Sequence, residues 1–258
     1  MNNRASDHAM LLAVNYRQLI RWLFRIAGIL IICHLLNRVA GTPSWQLERL
    51  FELGLEANIP TWFSSVLWAI AAVAAFGCSQ LVILKSDKNL WSLIALGLLT
   101  LSIDEVAQIH ENIFRIINLF FPKAIQQQIT SNFRATAWPI IASPFLVVVI
   151  IWLVVTLRRL LKGSSQAGLL LSLGFFTVVF GGWGLEITTN FLNHGVLEWV
   201  WSIENIFEES LEMIGAIVII SGLFAHQHVL ADKLRNRDLE TPEINEKSKK
   251  ERLVECRV

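Results

Sequence analysis

Two short stretches carry side chains whose types and spacing could do chemistry. SIDEVAQIHEN, residues 102–112, holds Asp104, Glu105, Gln108, His110 and Glu111, and IENIFEESLEM, residues 203–213, holds Glu204, Glu208, Glu209 and Glu212. Oxygen-rich donors with one or two histidines suit a hard or borderline divalent ion such as Mg, Mn, Ca or Zn. The expected ligands are Asp104, His110, Glu111, Glu208 and Glu212, with Glu105 or Glu209 as general acid or base. A bound metal makes a nucleophile of its water at neutral pH by lowering the pKa of that water.

These groups sit in an apolar chain. Of 258 residues, 54% are hydrophobic and 17% charged, against about a quarter charged in an ordinary soluble domain. The apolar residues fall into blocks near 22–40, 61–84, 90–107, 139–157, 167–187 and 205–225, each close to the roughly 20 residues that span a bilayer as a helix. The predicted fold is all-α: a polytopic membrane protein of six transmembrane helices. Residues 1–21 read as an amphipathic lead-in without a cleavable signal, 22–228 as the membrane domain, and 229–258 as a charged, largely disordered tail. Three cysteines, two of them inside apolar runs, make no disulfide framework.

Charge orients the helices. Arg17, Arg21 and Arg25, then Lys85 and Lys88, then Arg158, Arg159 and Lys162, then Lys233, Arg235 and Arg237 mark alternate ends, which places both termini in the cytoplasm. Of the fourteen acids before the tail, twelve then fall on the outer side against five bases, an excess of seven negative charges before counting histidines. Asp104 lies roughly 10 Å inside the outer face, Glu208 about 9 Å and Glu212 about 15 Å deep, at 1.5 Å per residue. By the 100° helical step Asp104, Gln108, Glu111 and Arg115 make one stripe on the third span, and Glu204, Glu208 and Glu212 another on the sixth. Such stripes should face the bundle interior. Glycines in FGGWGLE (Gly181, Gly182, Gly184) would let the fifth helix approach closely.

Supporting polar groups come from two further spans. Glu56, Asn58, Ser64 and Ser65 enter the same layer from the second, and Glu186, Thr188 and Asn190 from the fifth. Structural pairing competes with chemistry: Glu111 and Arg115 form an ordinary i, i+4 pair, and Ser64 and Ser65 suit helix packing. Yet the sixth-span glutamates repel one another at i, i+4, and the outer side has too few bases to pair every acid. Protons, a bound cation or a cationic ligand must compensate. Specific motifs are excluded by spacing: position 114 is Phe, so HENIF is no zincin helix, and no Glu-x-x-His pair, GxGxxG, Walker A or GxSxG sequence occurs. His226 and His228, at the cytoplasmic end, read as structural.

EANIPTWFSS, SIDEVAQIHE and EESLEM together resemble the signature of an uncharacterised family of bacterial multi-pass membrane proteins, over most of residues 50–225. The resemblance implies six helices in the inner membrane and carries no activity. A second likeness, to alkaline ceramidase-type membrane hydrolases, implies Ser64 or Ser65, Asp104 and His110 around a zinc, with Ser64 catalytic. The C-terminal His-x-x-x-His of that family is missing from this chain. Three functions stay open: a metal-dependent enzyme acting on a lipid or other amphiphile, a cation- or proton-coupled transporter, and a non-catalytic subunit of a membrane complex. The expected partners are the lipid bilayer and a lipid or small ion; nucleic acid is not expected.

Overall fold

In a computed structural model of the chain, residues 16–120, 122, 138–185, 187–188 and 198–255 are described. They form helices α1 (Tyr16–Val39), α2 (Trp45–Phe51), α3 (Ile59–Leu81), α4 (Lys85–Ala107), α5 (Ile109–Leu119), α6 (Trp138–Leu160), α7 (Ser165–Val178) and α8 (Glu198–Glu255). A π-helical segment, Val179–Leu185, continues α7. No strand occurs among the described residues. Six of these stretches are long and apolar enough to cross a membrane: Tyr16–Val39, Ile59–Leu81, Lys85–Ala107, Ala142–Leu160, Ser165–Leu185 and Ile203–Arg237. The chain is therefore a polytopic α-helical membrane protein.

Helices α3 and α8 form the centre of the bundle, and their spans are the most buried. They run in the same direction. Gly54, just before α3, lies against Asn205 near the start of α8, while further along Gln227 donates to the Ala74 carbonyl and the Cys78 thiol to that of Leu223 at 3.8 Å. α4 packs antiparallel on α3, α7 packs on α8, and α1 also lies on α8. The fourth span is peripheral, with Phe145, Val148, Ile151 and Val155 exposed. Exposed apolar side chains on a bundle of this kind face hydrocarbon, where they cost nothing.

Contact between helices comes from small residues. A Cβ on Gly174 would lie 2.9 Å from the Gly215 carbonyl oxygen, and one on Gly222 would lie 3.1 Å from the Leu171 nitrogen. Backbones this close need glycine, and in a bilayer such packing holds helices together where no hydrophobic drive exists. Between α3 and α4 the polar contact is reciprocal. Ser65 Oγ donates to the Ser102 carbonyl at 2.7 Å and Ser102 Oγ to the Ser65 carbonyl at 2.8 Å.

At the basic end Arg159 of α6 meets Asp87 of α4 at 2.7 Å and Ser86 at 3.0 Å. At the other end, the linker between α1 and α3 is pinned by His34. Its ring is 1% exposed, and Nδ1 accepts from the Leu53 amide at 3.3 Å, with Glu52 3.5 Å away. Glu52 and Leu53 therefore belong to a docked segment, although on sequence grounds Glu52 reads as a plain loop acid. Helix α8 runs far beyond any bilayer: its 58 residues span about 87 Å at 1.5 Å each. The charged segment from residue 229 begins within this helix and follows it to Glu255.

The third span departs from the expected continuous stripe. α4 stops at Ala107, and Gln108 takes a left-handed conformation (φ 50°, ψ 43°) with its amide returning to the Asp104 carbonyl at 2.7 Å. Left-handed residues end helices. The chain then starts anew as α5, so Asp104 and Glu111 share no helical face.

Candidate metal centre

Two helices bring three carboxylates together. Glu105 of α4 and Glu209 and Glu212 of α8 each offer an oxygen, and these lie within 4.8 Å of one another. Helical register explains why these three meet. On α4 the buried seam runs Trp91, Ile94, Leu98, Ser102, stepping by three or four, and Glu105 is its next member. On α8 the seam Met213, Ala216, Ile220, Leu223 is fully or nearly fully buried, and Glu209 is its next member towards the N-terminal end. Glu212 lies one turn from Glu209 and turns towards the fifth span.

The fifth span changes winding at that level. The π-helical FGGWGL, residues 180–185, brings Gly181 and Gly182 onto α8: a Cβ on Gly181 would lie 2.8 Å from that of Leu211, and one on Gly182 would collide with the Glu212 carboxylate. π-Segments are rare and recur at functional sites. At Gly184, expected to take part, a Cβ would meet, among the described residues, Phe180 and Val179 of its own segment.

Around the three carboxylates the field is strongly negative. Glu56 and Asp104 act on Glu105, and Glu56 and Glu208 on Glu209, with His110 opposing them at Glu105. Three carboxylates at this separation repel unless a cation or protons sit among them.

Asp104 and His110 contact each other at the start of α5. One Asp104 oxygen accepts from the His110 amide at 2.8 Å and the other faces His110 Nδ1 at 2.6 Å. That is the capping geometry of a helix start, satisfying an orphan N–H of the first turn of α5. Asp104 thus ties the break after α4 to the beginning of α5. Of the expected site residues, Glu105, Glu209 and Glu212 lie together in the cluster, and Asp104 and His110 face each other. Glu208 is half-buried beside Glu209. Glu111 and Arg115 lie on α5, with side chains outside the described ones, as Glu186 and Asn190 lie outside the described residues.

Of the supporting residues, Asn58 is a cap. Its Oδ1 accepts from the Thr61 amide at 3.1 Å and its Nδ2 donates to the Glu52 carbonyl at 2.6 Å, fixing the entry into α3. Pro60 in the first turn completes that start. Ser64 lies on the buried seam of α3 with Leu67, Trp68, Ala71 and Cys78, and its hydroxyl has no hydrogen-bond partner among the described residues. The Ser65–Ser102 pair sets the register of α3 and α4, which puts Ser64 about half a turn from the level of Glu105. Glu204 is buried near the N-terminal end of α8.

Six spans, a central parallel helix pair and an acidic cluster at one end define a multi-pass membrane protein with a candidate cation site. The family model described as Domain of unknown function (DUF8692) matches residues 23–227, most of the chain, and the protein belongs to that family. The match begins inside the first span and ends inside the sixth, so it takes in the whole cluster. No curated protein and no solved structure matches the chain.

Proposed function

We propose that the protein binds a divalent cation between Glu105, Glu209 and Glu212 and uses it in metal-dependent chemistry on a lipid or other amphiphile. The convergence of three carboxylates from two spans, half-buried and within 4.8 Å, is the observation that carries this reading. An all-oxygen set favours Mg, Mn or Ca over zinc. The cation offsets the mutual repulsion of the acids, and a substrate or water oxygen completes its coordination. Ser64, with its buried hydroxyl near the level of Glu105, is the candidate nucleophile or further oxygen donor. In this reading the cluster faces outward from the inner membrane of a bacterium, with both termini in the cytoplasm.

Metal content and affinity of the purified protein test the proposal. The expected outcome is retained or readily taken-up Mn or Mg, with Glu105→Gln and Glu209→Gln each weakening binding at least tenfold. A metal-free protein whose affinity for added divalent ions is the same in wild type and both variants overturns it.

Interrupted helices favour a second reading. α4 breaks at Gln108 and the fifth span passes into π-helix at Gly181 and Gly182, both beside the carboxylates. Broken spans at an ion site are the usual construction of secondary transporters. Cation-dependent flux in proteoliposomes that Glu209→Gln abolishes would select transport over catalysis.

A further inference from the structure

Helix α5 is too short to cross a membrane. Its eleven residues reach about 16 Å, half the thickness of the hydrocarbon core. It begins two residues after the third span ends, following the left-handed turn at Gln108, and the Asp104 carboxylate holds its first turn. Its apolar residues Ile109, Ile113 and Ile116, with Phe120 just past its end, recur at i, i+4, i+7 and i+11, the spacing of a single face. Among the described residues that face is left open: Ile113 is 46% exposed, Ile116 55% and Phe120 83%.

What covers this face is indicated by what it continues. Ile103 and Val106, on the last two turns of α4, are likewise more than half exposed, and they belong to the part of the span that faces hydrocarbon. The exposed row thus passes from the lipid-facing side of α4, around the break, onto α5. A short helix whose sequence centres its apolar residues on one row, with Phe114, Ile117 and Leu119 flanking it and Glu111, Arg115 and Asn118 opposite, attached to the end of a span, has the construction of an interfacial membrane helix. Asn112, exposed and bonded back to the Ala107 carbonyl at 3.4 Å, leaves the apolar row uninterrupted.

We propose that α5 lies in the headgroup region of the leaflet at the carboxylate end, with Ile113, Ile116 and Phe120 inserted among the acyl chains. Its partner is the bilayer surface itself. The break at Gln108 redirects the chain from across the membrane to along it, and the Asp104–His110 clamp fixes the start of the interfacial helix beside Glu105. This seating stands whether or not a cation is bound. If the metal reading holds as well, lipid headgroups held under α5 are the nearest amphiphiles to the site.

A nitroxide scan tests it in the full chain reconstituted in lipid bilayers. Single cysteines are placed at residues 109–119 in a Cys33→Ser, Cys256→Ser background, with the buried Cys78 retained. The expected result is an oxygen-to-nickel-chelate accessibility ratio that oscillates with a period near 3.6 and peaks at positions 113 and 116. Nickel accessibility at both peaks would mean a helix in water and overturn the proposal. Inaccessibility to both colliders would mean that protein, such as a second copy, covers the face, and would overturn it equally. Where a labelled variant fails to fold, the unmodified protein is footprinted instead with a lipid-soluble carbene. Labels on Ile113, Ile116 or Phe120 support the seating, and labelling of the spans with none on 109–120 contradicts it.

Discussion

Glu105 and Glu209 each extend a buried helical seam by one more turn, so the same spacing that makes a core makes an acidic site at its end. The sequence carries that signal: following Trp91, Ile94, Leu98 and Ser102 leads to Glu105, and following Leu223, Ile220, Ala216 and Met213 leads to Glu209. A stripe drawn through the acids themselves picks Asp104, Glu111 and Glu208 instead, because it assumes that the most charged face is the innermost one. Packing decides facing, and the apolar seam reports packing. If a cation sits in the cluster, Glu209→Gln should change stability with opposite sign in two conditions. In chelator, at a pH high enough to ionise the whole cluster, the variant melts above wild type, because one repelling charge is gone. With divalent ion near 100 times the wild-type dissociation constant, wild type gains about 2.7 kcal/mol and melts higher. Thermal melting of both proteins in both conditions checks this, and the same order in both would contradict it. Asp104→Ala is expected to weaken the start of α5 by about 1 kcal/mol, as for a lost cap. Faster amide exchange over residues 109–113, with a smaller loss of cation affinity than Glu209→Gln, is the readout.

At the scale of elements, the six apolar runs were legible because length and hydrophobicity are imposed by the bilayer. The break at Gln108 was not. It has no Gly or Pro to mark it, and the left-handed turn is held by tertiary and capping contacts around Asp104 and His110. The change to π-helix was half legible. FGGWG announces close approach, which Gly181 and Gly182 make on α8, but nothing in it announces altered winding. Two substitutions separate the roles of these glycines. Gly182→Ala places a methyl against the Glu212 carboxylate, and cation affinity should fall by tenfold or more while the helices stay assembled. Gly215→Val places its side chain against Val178 and the Gly174 carbonyl, and overpacking of this kind costs about 1–3 kcal/mol. Calorimetric cation titration and thermal melting of the two variants should therefore rank them in opposite order.

At the scale of the whole molecule, six spans carry the chain across the membrane an even number of times, so N- and C-terminal tags should be cleaved by protease from the same side of sealed vesicles. Protection of one tag and cleavage of the other would require a different number of crossings. The bundle is asymmetric along its axis. One end is tied by the Arg159–Asp87 pair, and the other gathers Glu56, Glu105, Glu208, Glu209 and Glu212 beneath a linker pinned by His34. The central claim concerns that second end, and anomalous diffraction tests it most directly. Crystals grown with manganese should show an anomalous difference peak about 2.0–2.6 Å from carboxylate oxygens of Glu105, Glu209 and Glu212. A map with no peak there, from crystals whose manganese lies elsewhere on the molecule, would contradict the account.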